Sequence, residues 1–476
     1  MNTNRDLVRN LTLTVAAIAV VLPSVWLATS FGKLALFGVV GVAGLVAAAY
    51  VGLRHPLWYF WGLALIIGGL PYGRIPGVGL PIWYLLAFGA IVAAFMHPRF
   101  ARSTHPIEVA MWAMFITAAL SLLVTYQSLA DISIFVRWSL ATFFMFALSR
   151  LAPEHAVRFG KIFVVTAAVN GLYGVYVLAF DPNWTTLSYL RAFGYVKEAL
   201  ITRVATVGEN DSTSIRLGGT WVEPNGAGLY LALALALAML LFAGWRRNIL
   251  VPVLSVALLL TLSRSATFTV VVGIVIVLIF HPMRARARMA LISLMTVAGL
   301  AALAVEPIRN RIFSSFGSGD VGSSARVDAL RIFPGRMSGH WGFGWGWARR
   351  EFIDPAYSYV FNLPSNAPLI VLYRSGTIAF IAFAALAIIG CVYAYRAVRS
   401  TSSPYAIYGG IFIGLVLVQM QLDHPLAGTP PGALTYSIFL GFLVYVDRER
   451  RAALRQEMAP PRGVPTPTEE FVVASR

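Results

Sequence analysis

Three arginines in this sequence are placed where a guanidinium can do chemistry. Arg264 lies in Thr261-Leu262-Ser263-Arg264-Ser265-Ala266, between two apolar runs, and Arg326 and Arg331 lie in Ser323-Ser324-Ala325-Arg326-Val327-Asp328-Ala329-Leu330-Arg331-Ile332-Phe333. A guanidinium does not deprotonate, and its fork matches phosphate oxygens two at a time, so arginines fixed at a membrane surface suit the diphosphate of a lipid-linked ligand. A plainer use is open to each: an arginine beside apolar runs can bury its stem and reach lipid headgroups. Ser323 and Ser324, followed by an acidic residue and an apolar periodicity, read as the cap of a helix lying on the membrane. Placed near Arg264, Arg326 would complete a two-arginine clamp, with Arg331 one turn further along.

Other polar residues stand at the edges of apolar runs. Glu223 and Asn225 fall in Gly218-Gly219-Thr220-Trp221-Val222-Glu223-Pro224-Asn225-Gly226, Asn366 in Pro364-Ser365-Asn366, and Asp423 and His424 in Gln421-Leu422-Asp423-His424-Pro425. Such groups are costly at a membrane boundary unless paired or facing a cavity; capping a helix N-terminus is the structural alternative. Glu223, Asp423 and His424 could move protons, while Asn225 and Asn366 could hold a substrate. The stretch Gly339-His340-Trp341-Gly342-Phe343-Gly344-Trp345-Gly346-Trp347 offers turns at glycine and flat indoles at Trp345 and Trp347. Those indoles suit an interfacial belt or stacking on sugar faces. Its GxGxxG-like spacing is no nucleotide signal, because no βα unit surrounds it. Arg137, inside an apolar run, can pair with Asp131 or face a cavity. No metal-ligand spacing occurs and no cofactor is expected. The one cysteine, Cys391, excludes an internal disulfide.

The elements that must position these groups are membrane helices. The chain has 476 residues, 58% of them hydrophobic and 12% charged, about half the charge of a soluble domain. Apolar runs near 11–29, 34–52, 57–70, 82–96, 106–124, 132–149, 159–180, 220–243, 248–262, 266–280, 289–305, 366–392, 405–421 and 432–446 predict an all-α polytopic membrane protein. Several are short, so twelve to fourteen transmembrane helices are expected. The N-terminal run lacks a small-residue cleavage site and reads as a first span. With the N-terminus inside, Lys and Arg crowd one side, from Arg5 and Arg9 through Arg284, Arg286 and Arg288 to Arg448 and Arg451, while the short loops opposite hold only Lys33, Arg74 and Arg264. The positive-inside rule then makes both termini cytoplasmic. The chain divides into N-terminal membrane helices (1–180), an extracytoplasmic loop (181–219), core helices (220–305), a large extracytoplasmic loop with short helices (306–364), C-terminal helices (365–446) and a cytoplasmic tail (447–476), whose mixed-charge start is expected to extend the last helix and whose Pro-rich remainder is expected to lose order. Topology thus accounts for most of the net charge of +17, and nucleic acid is not an expected partner. In the outer loops acids nearly match the bases, which favours a local arginine clamp over bulk polyanion binding.

Taken in order, "GGTWVEPNGAGLYLA", "LTLSRSATFTVVVGIV", "SSARVDALRIF…GHWGFGWGWARREF" and "PSNAPLIVLYRSGTIAFI" resemble the O-antigen ligase/polymerase superfamily of bacterial envelope polysaccharide glycosyltransferases. The resemblance covers roughly residues 216–392. It implies an inner-membrane enzyme whose site faces the periplasm. There an acceptor hydroxyl, on a glycan or a lipid, attacks the anomeric carbon of a glycan carried on undecaprenyl diphosphate. No nucleotide sugar and no metal are required. Arg264 and Arg326 match the family's diphosphate-binding arginines, and the resemblance also implies work alongside envelope polysaccharide assembly proteins.

One departure matters. In ligases of the family a histidine stands beside the asparagine that matches Asn366, whereas this chain has Pro364 and Ser365. Serine at its ordinary pKa cannot replace imidazole as a base near neutral pH. Another group must act (Glu223, Asp354, Asp423 or His424), or diphosphate activation suffices, or ligase activity is lost. The expectation is therefore a polymerase of O-antigen or exopolysaccharide repeats, with a lipopolysaccharide ligase as the alternative. A lipid-linked oligosaccharide flippase is the rival from another class; few mid-span charges and two long outer loops disfavour it.

Overall fold

The computed structural model describes most of residues 43–96, residues 104–195 apart from Pro182, and residues 216–314, 330–348, 366–423 and 430–458. Helices are α1 (Leu57–Gly69), α2 (Ile82–Met96), α3 (Pro106–Thr125), α4 (Leu129–Ser149), α5 (Pro153–Phe180), α6 (Pro224–Leu241), α7 (Gly244–Leu260), α8 (Arg264–Phe280), α9 (Ala285–Ala304), α10 (Glu306–Ser314), α11 (Ala367–Val398), α12 (Ser403–Leu422) and α13 (Pro430–Met458). Among the described residues the only β-type pairing is an isolated bridge between Arg74 and Pro81. Starts follow local chemistry. Proline stands in the first turn of α3, α5, α6, α11 and α12, where its missing N–H costs nothing. A Ser128/Asp131 capping box opens α4.

Every expected span from residue 57 onward coincides with a helix; the first lies outside the described residues, as does most of the second. Among the described residues, seven helices can cross a membrane by length and composition: α3, α4, α5, α6, α9, α11 and α12. The twelve to fourteen expected also include the first two runs, which the described residues do not cover in full, and α1, α2 and α8, whose 13, 15 and 17 residues are below the ~20 needed to traverse the hydrocarbon core. α7, also 17 residues, carries Arg246 and Arg247 in its first turn.

The core is built around α6, buried without interruption from Gly226 to Ala238. Close approach replaces large side chains. A Cβ at Gly228 would lie 2.8 Å from both Ser263 and Ala266, so α6 rides against the start of α8. A Cβ at Gly414 would lie 2.2 Å from the Thr269 carbonyl, which brings α12 onto the backbone of α8. Lipid supplies no hydrophobic drive between helices, and small residues restore van der Waals contact there.

Helix α11 is broken. Gly376 has φ 77° and ψ −176°, a conformation reserved for glycine. The glycine-tryptophan segment docks into the gap: Trp345 N–H donates to Tyr373 O (2.7 Å), Gly346 N–H to Arg374 O (3.1 Å) and Thr377 N–H to Trp341 O (2.8 Å). A Cβ on Gly376 would meet Gly342 O at 2.1 Å. The groups freed by the break are thus satisfied by protein backbone, as membrane-depth irregularity requires. The Asp131 carboxylate, one of the two placements open to Arg137, accepts Ser128 N–H (3.0 Å) at the helix cap and Ala348 N–H (2.7 Å) from the end of the glycine-tryptophan segment. Arg137 is exposed.

At one end of the bundle α3, α4 and α13 are locked by charge. Buried Asp447 accepts from His105 Nε2 (3.2 Å), Arg450 (3.0 Å) and Arg451 (2.7 Å). Buried Glu108 accepts the Ser149 hydroxyl (2.7 Å) and lies 3.6 Å from Arg448, which also donates to Ser149 O. His105 Nδ1 accepts Ile107 N–H, so Nε2 carries the proton toward Asp447.

Candidate functional site

The opposite end gathers most of the described candidates through hydrogen bonds between loops. Residues 216–222, just ahead of α6, are buried although they are not α-helical. Trp221 donates to Ile67 O (3.1 Å), and Thr220 N–H donates to Asn170 Oδ1 (2.9 Å). Leu217 N–H donates to Leu260 O (3.0 Å). Arg216, 5% exposed, donates from Nε to Thr261 O (2.9 Å) and from a terminal nitrogen to Asn225 Oδ1 (2.7 Å). This ties the start of α6 to the turn that precedes α8.

That turn is tight. Leu262 has φ 51° and Val222, before α6, has φ 59°; left-handed conformations cost non-glycine residues about 1–2 kcal/mol, and both side chains are buried. Ser263 caps α8 and Arg264 is its first residue, half-buried. Ser263 and Ser265 hydroxyls lie 3.3 Å apart, and Ser265 donates to Asp423 Oδ2 at 3.3 Å. Gln419 approaches the same oxygen at 3.5 Å. Gln419 ends a π turn, Leu415–Gln419, in α12, a distortion frequent at functional sites. Its Oε1 is buried without a hydrogen-bond partner among the described residues, as is the Thr269 hydroxyl one turn below Ser265. Buried Asp423 follows the last turn of α12.

Asn366 caps α11: its Oδ1 accepts Leu369 N–H (3.0 Å), and its amide donates to Gln421 Oε1 (3.1 Å) and O (3.3 Å). The cap occupies most of the side chain's bonding capacity, so Asn366 acts as a structural tie between α11 and α12. Through it, three helix N-termini (α6, α8 and α11) belong to one bonded cluster. Each helix N-terminus carries a partial positive charge. Arg264 adds a cation there, and Asp423 adds a carboxyl at the helix end that disfavours it. A helix N-terminus and a guanidinium each favour a nearby oxyanion.

Glu223 is half-buried at the N-cap position of α6, at the same end. The remaining candidates fall elsewhere. Trp345 stacks on His340 (ring centroids 3.5 Å apart) and donates to Arg336 O at 2.9 Å. Trp347 is buried against Phe135 (5.1 Å) and Trp138 (4.9 Å) in α4. Arg331 is exposed on a short helix over 330–336. Arg326, His424 and Asp354 lie outside the described residues, as do the expected cap at Ser323 and the Pro-rich tail. Among the described residues no three His, Cys, Asp or Glu come together to hold a metal.

Arg216, Ser265, Gln419 and the Gly376 break did not stand out in the sequence. A signal existed for one pair: Gln419 and Asp423 are spaced i, i+4, which puts them on one helix face. Comparison with models of known protein families finds none that matches the chain, and comparison with curated proteins finds no match either.

Proposed function

We propose that this protein is a membrane glycosyltransferase that elongates a polysaccharide from a glycan carried on undecaprenyl diphosphate. It would act as a polymerase at the periplasmic face of a bacterial inner membrane. The observation that carries the reading is the placement of Arg264 as the first residue of α8, inside a cluster that ties three helix N-termini together. That combination of fixed dipoles and a permanent cation is what a diphosphate needs.

In the proposed reaction, the acceptor hydroxyl oxygen bonds to the anomeric carbon as the bond to the diphosphate oxygen breaks. The electron pair leaves with the lipid diphosphate, where Arg264 and the α8 N-terminus stabilise the growing charge, together with Arg326. The hydroxyl proton passes to a carboxylate. Asp423, buried and hydrogen-bonded by Ser265, is the group assigned to it in a chain that lacks a histidine beside Asn366. Preorganised donors of this kind act without reorganising as charge develops.

The test is genetic. A deletion strain is complemented with wild type, Arg264→Ala and Arg326→Ala at matched membrane levels, and its surface glycans are run on a gel. Loss of polymerase leaves single repeat units. Loss of a ligase would leave polymer on the carrier lipid and none on lipid A. Full-length glycan from both arginine variants rules the diphosphate clamp out.

A further inference from the structure

Arg216 has no role in the proposed reaction, yet its geometry is tightly fixed. It is buried, and two of its donors are fixed on oxygens from different elements: the Thr261 carbonyl at 2.9 Å and Asn225 Oδ1 at 2.7 Å. A guanidinium only donates, so the Asn225 amide must turn its oxygen inward. That leaves the Asn225 NH2 group facing away from Arg216. Asn225 is half-buried, and this NH2 has no hydrogen-bond partner among the described residues. On the other side, Arg216 holds the carbonyl of Thr261, one residue before the left-handed Leu262 and three before Arg264. Thr261 is itself immobilised: it is fully buried, its hydroxyl donates to Leu258 O (2.6 Å), and Ser263 N–H donates to that hydroxyl (3.2 Å).

We infer that Arg216 is a positioning residue of the diphosphate site. It presents the Asn225 NH2 group as a donor and sets the turn that aims Arg264, so that both address the same phosphate oxygens. The inference rests on the diphosphate reading and adds to it a second donor and the residue that orients it. Only arginine suits the task, because the planar fork spans two acceptors at fixed separation and a lysine ammonium does not.

The experiment uses the purified full-length protein in detergent, titrated with geranylgeranyl diphosphate and with geranylgeraniol, the same chain without phosphate. Wild type should bind the diphosphate about ten-fold or more tighter than the alcohol. Asn225→Ala removes the NH2 donor without adding the negative charge that an aspartate would set against the diphosphate. It should weaken the diphosphate by about ten-fold or more and leave the alcohol unchanged. Arg216→Lys should do the same, and the double variant should lose less than the product of the two single losses. If Arg216→Lys does not fold, Asn225→Ala alone decides. A wild type that does not distinguish the two ligands overturns the diphosphate reading itself. If wild type distinguishes them and Arg264→Gln does not, while Asn225→Ala and Arg216→Lys both still do, the reading stands and the role of Arg216 falls. Proportional weakening of both ligands also overturns that role, since it is what a purely structural arginine would produce.

Discussion

The two ends of the helix bundle solve the problem of buried polar groups in opposite ways. At the Asp447 end, each buried carboxylate faces cations and hydrogen-bond donors at close range. Burial pushes the Asp447 carboxyl up, but the hydrogen bonds from His105 and Arg450 and the charges of Arg451 and Arg450 outweigh it and hold it at about 2. At the Arg264 end, the cation sits on a helix N-terminus and Asp423 sits at a C-terminus, each against the local dipole. Gln419 Oε1 and the Thr220 and Thr269 hydroxyls are buried there without partners among the described residues, and two non-glycine residues hold left-handed backbone. Unmet polar capacity and backbone strain persist where function needs them. The first end holds helices together; the second is the end to which the proposed function assigns the diphosphate.

That contrast can be broken by exchanging what each end should lose. The largest effect belongs to Asp447→Ala, which leaves buried His105 and its arginines uncompensated and should cost about 3–5 kcal/mol of stability. It is read as a fall in melting temperature in detergent, with turnover per folded molecule unchanged. Arg264→Gln should invert the pattern: turnover falls about 100- to 1000-fold, as when one preorganised donor to a developing oxyanion is lost, while the melting temperature holds. Asp423→Asn preserves shape and the Ser265 contact but removes the proton acceptor. Initial rates should drop about 100-fold, at the lower end for a general base, and an unchanged rate would remove Asp423 from the mechanism.

The smallest effect sharpens the comparison through pH. Asp447 has a folded value near 2 against an ordinary 3.8, so its contribution is complete above the ordinary value and is lost as pH falls through the folded one. Melting temperature of wild type should therefore decline more steeply than that of Asp447→Ala between pH 4 and 2, and the two should run parallel above that window.

Much of the fold is legible in the sequence and much of the site is not. Apolar runs and prolines locate the helices: the run at 132–149 becomes Leu129–Ser149, with Ser128 and Asp131 as its cap, whereas the run at 432–446 becomes Pro430–Met458, because the charged start of the tail continues the helix. What hydropathy does not record is which helices are neighbours. The apolar windows of α6 and α9 are about equally hydrophobic, yet 78% of the first is buried and none of the second. In lipid both solvent and protein are apolar, so a helix apolar on all sides carries no stripe that marks its packed face. Arg264 was visible because a charge interrupted an apolar run. Arg216 was not, because its partner Thr261 lies 45 residues away and its burial depends on a loop that folds inward. The Gly-Trp segment advertised turns and flat rings, but its destination, a break in α11 at Gly376, is a long-range pairing of backbone groups that side-chain identities do not encode.

Turnover of a lipid diphosphate donor at the Arg264 end, the function proposed for it, is read by release of undecaprenyl diphosphate from a lipid-linked glycan. Purified protein would be reconstituted in vesicles with that donor and no nucleotide sugar. Wild type should release the lipid diphosphate in step with glycan elongation, and Arg264→Gln, at the same melting temperature, should do so about 100-fold more slowly or worse. Equal release by the two proteins, or no release by folded wild type, would rule the proposed reaction out.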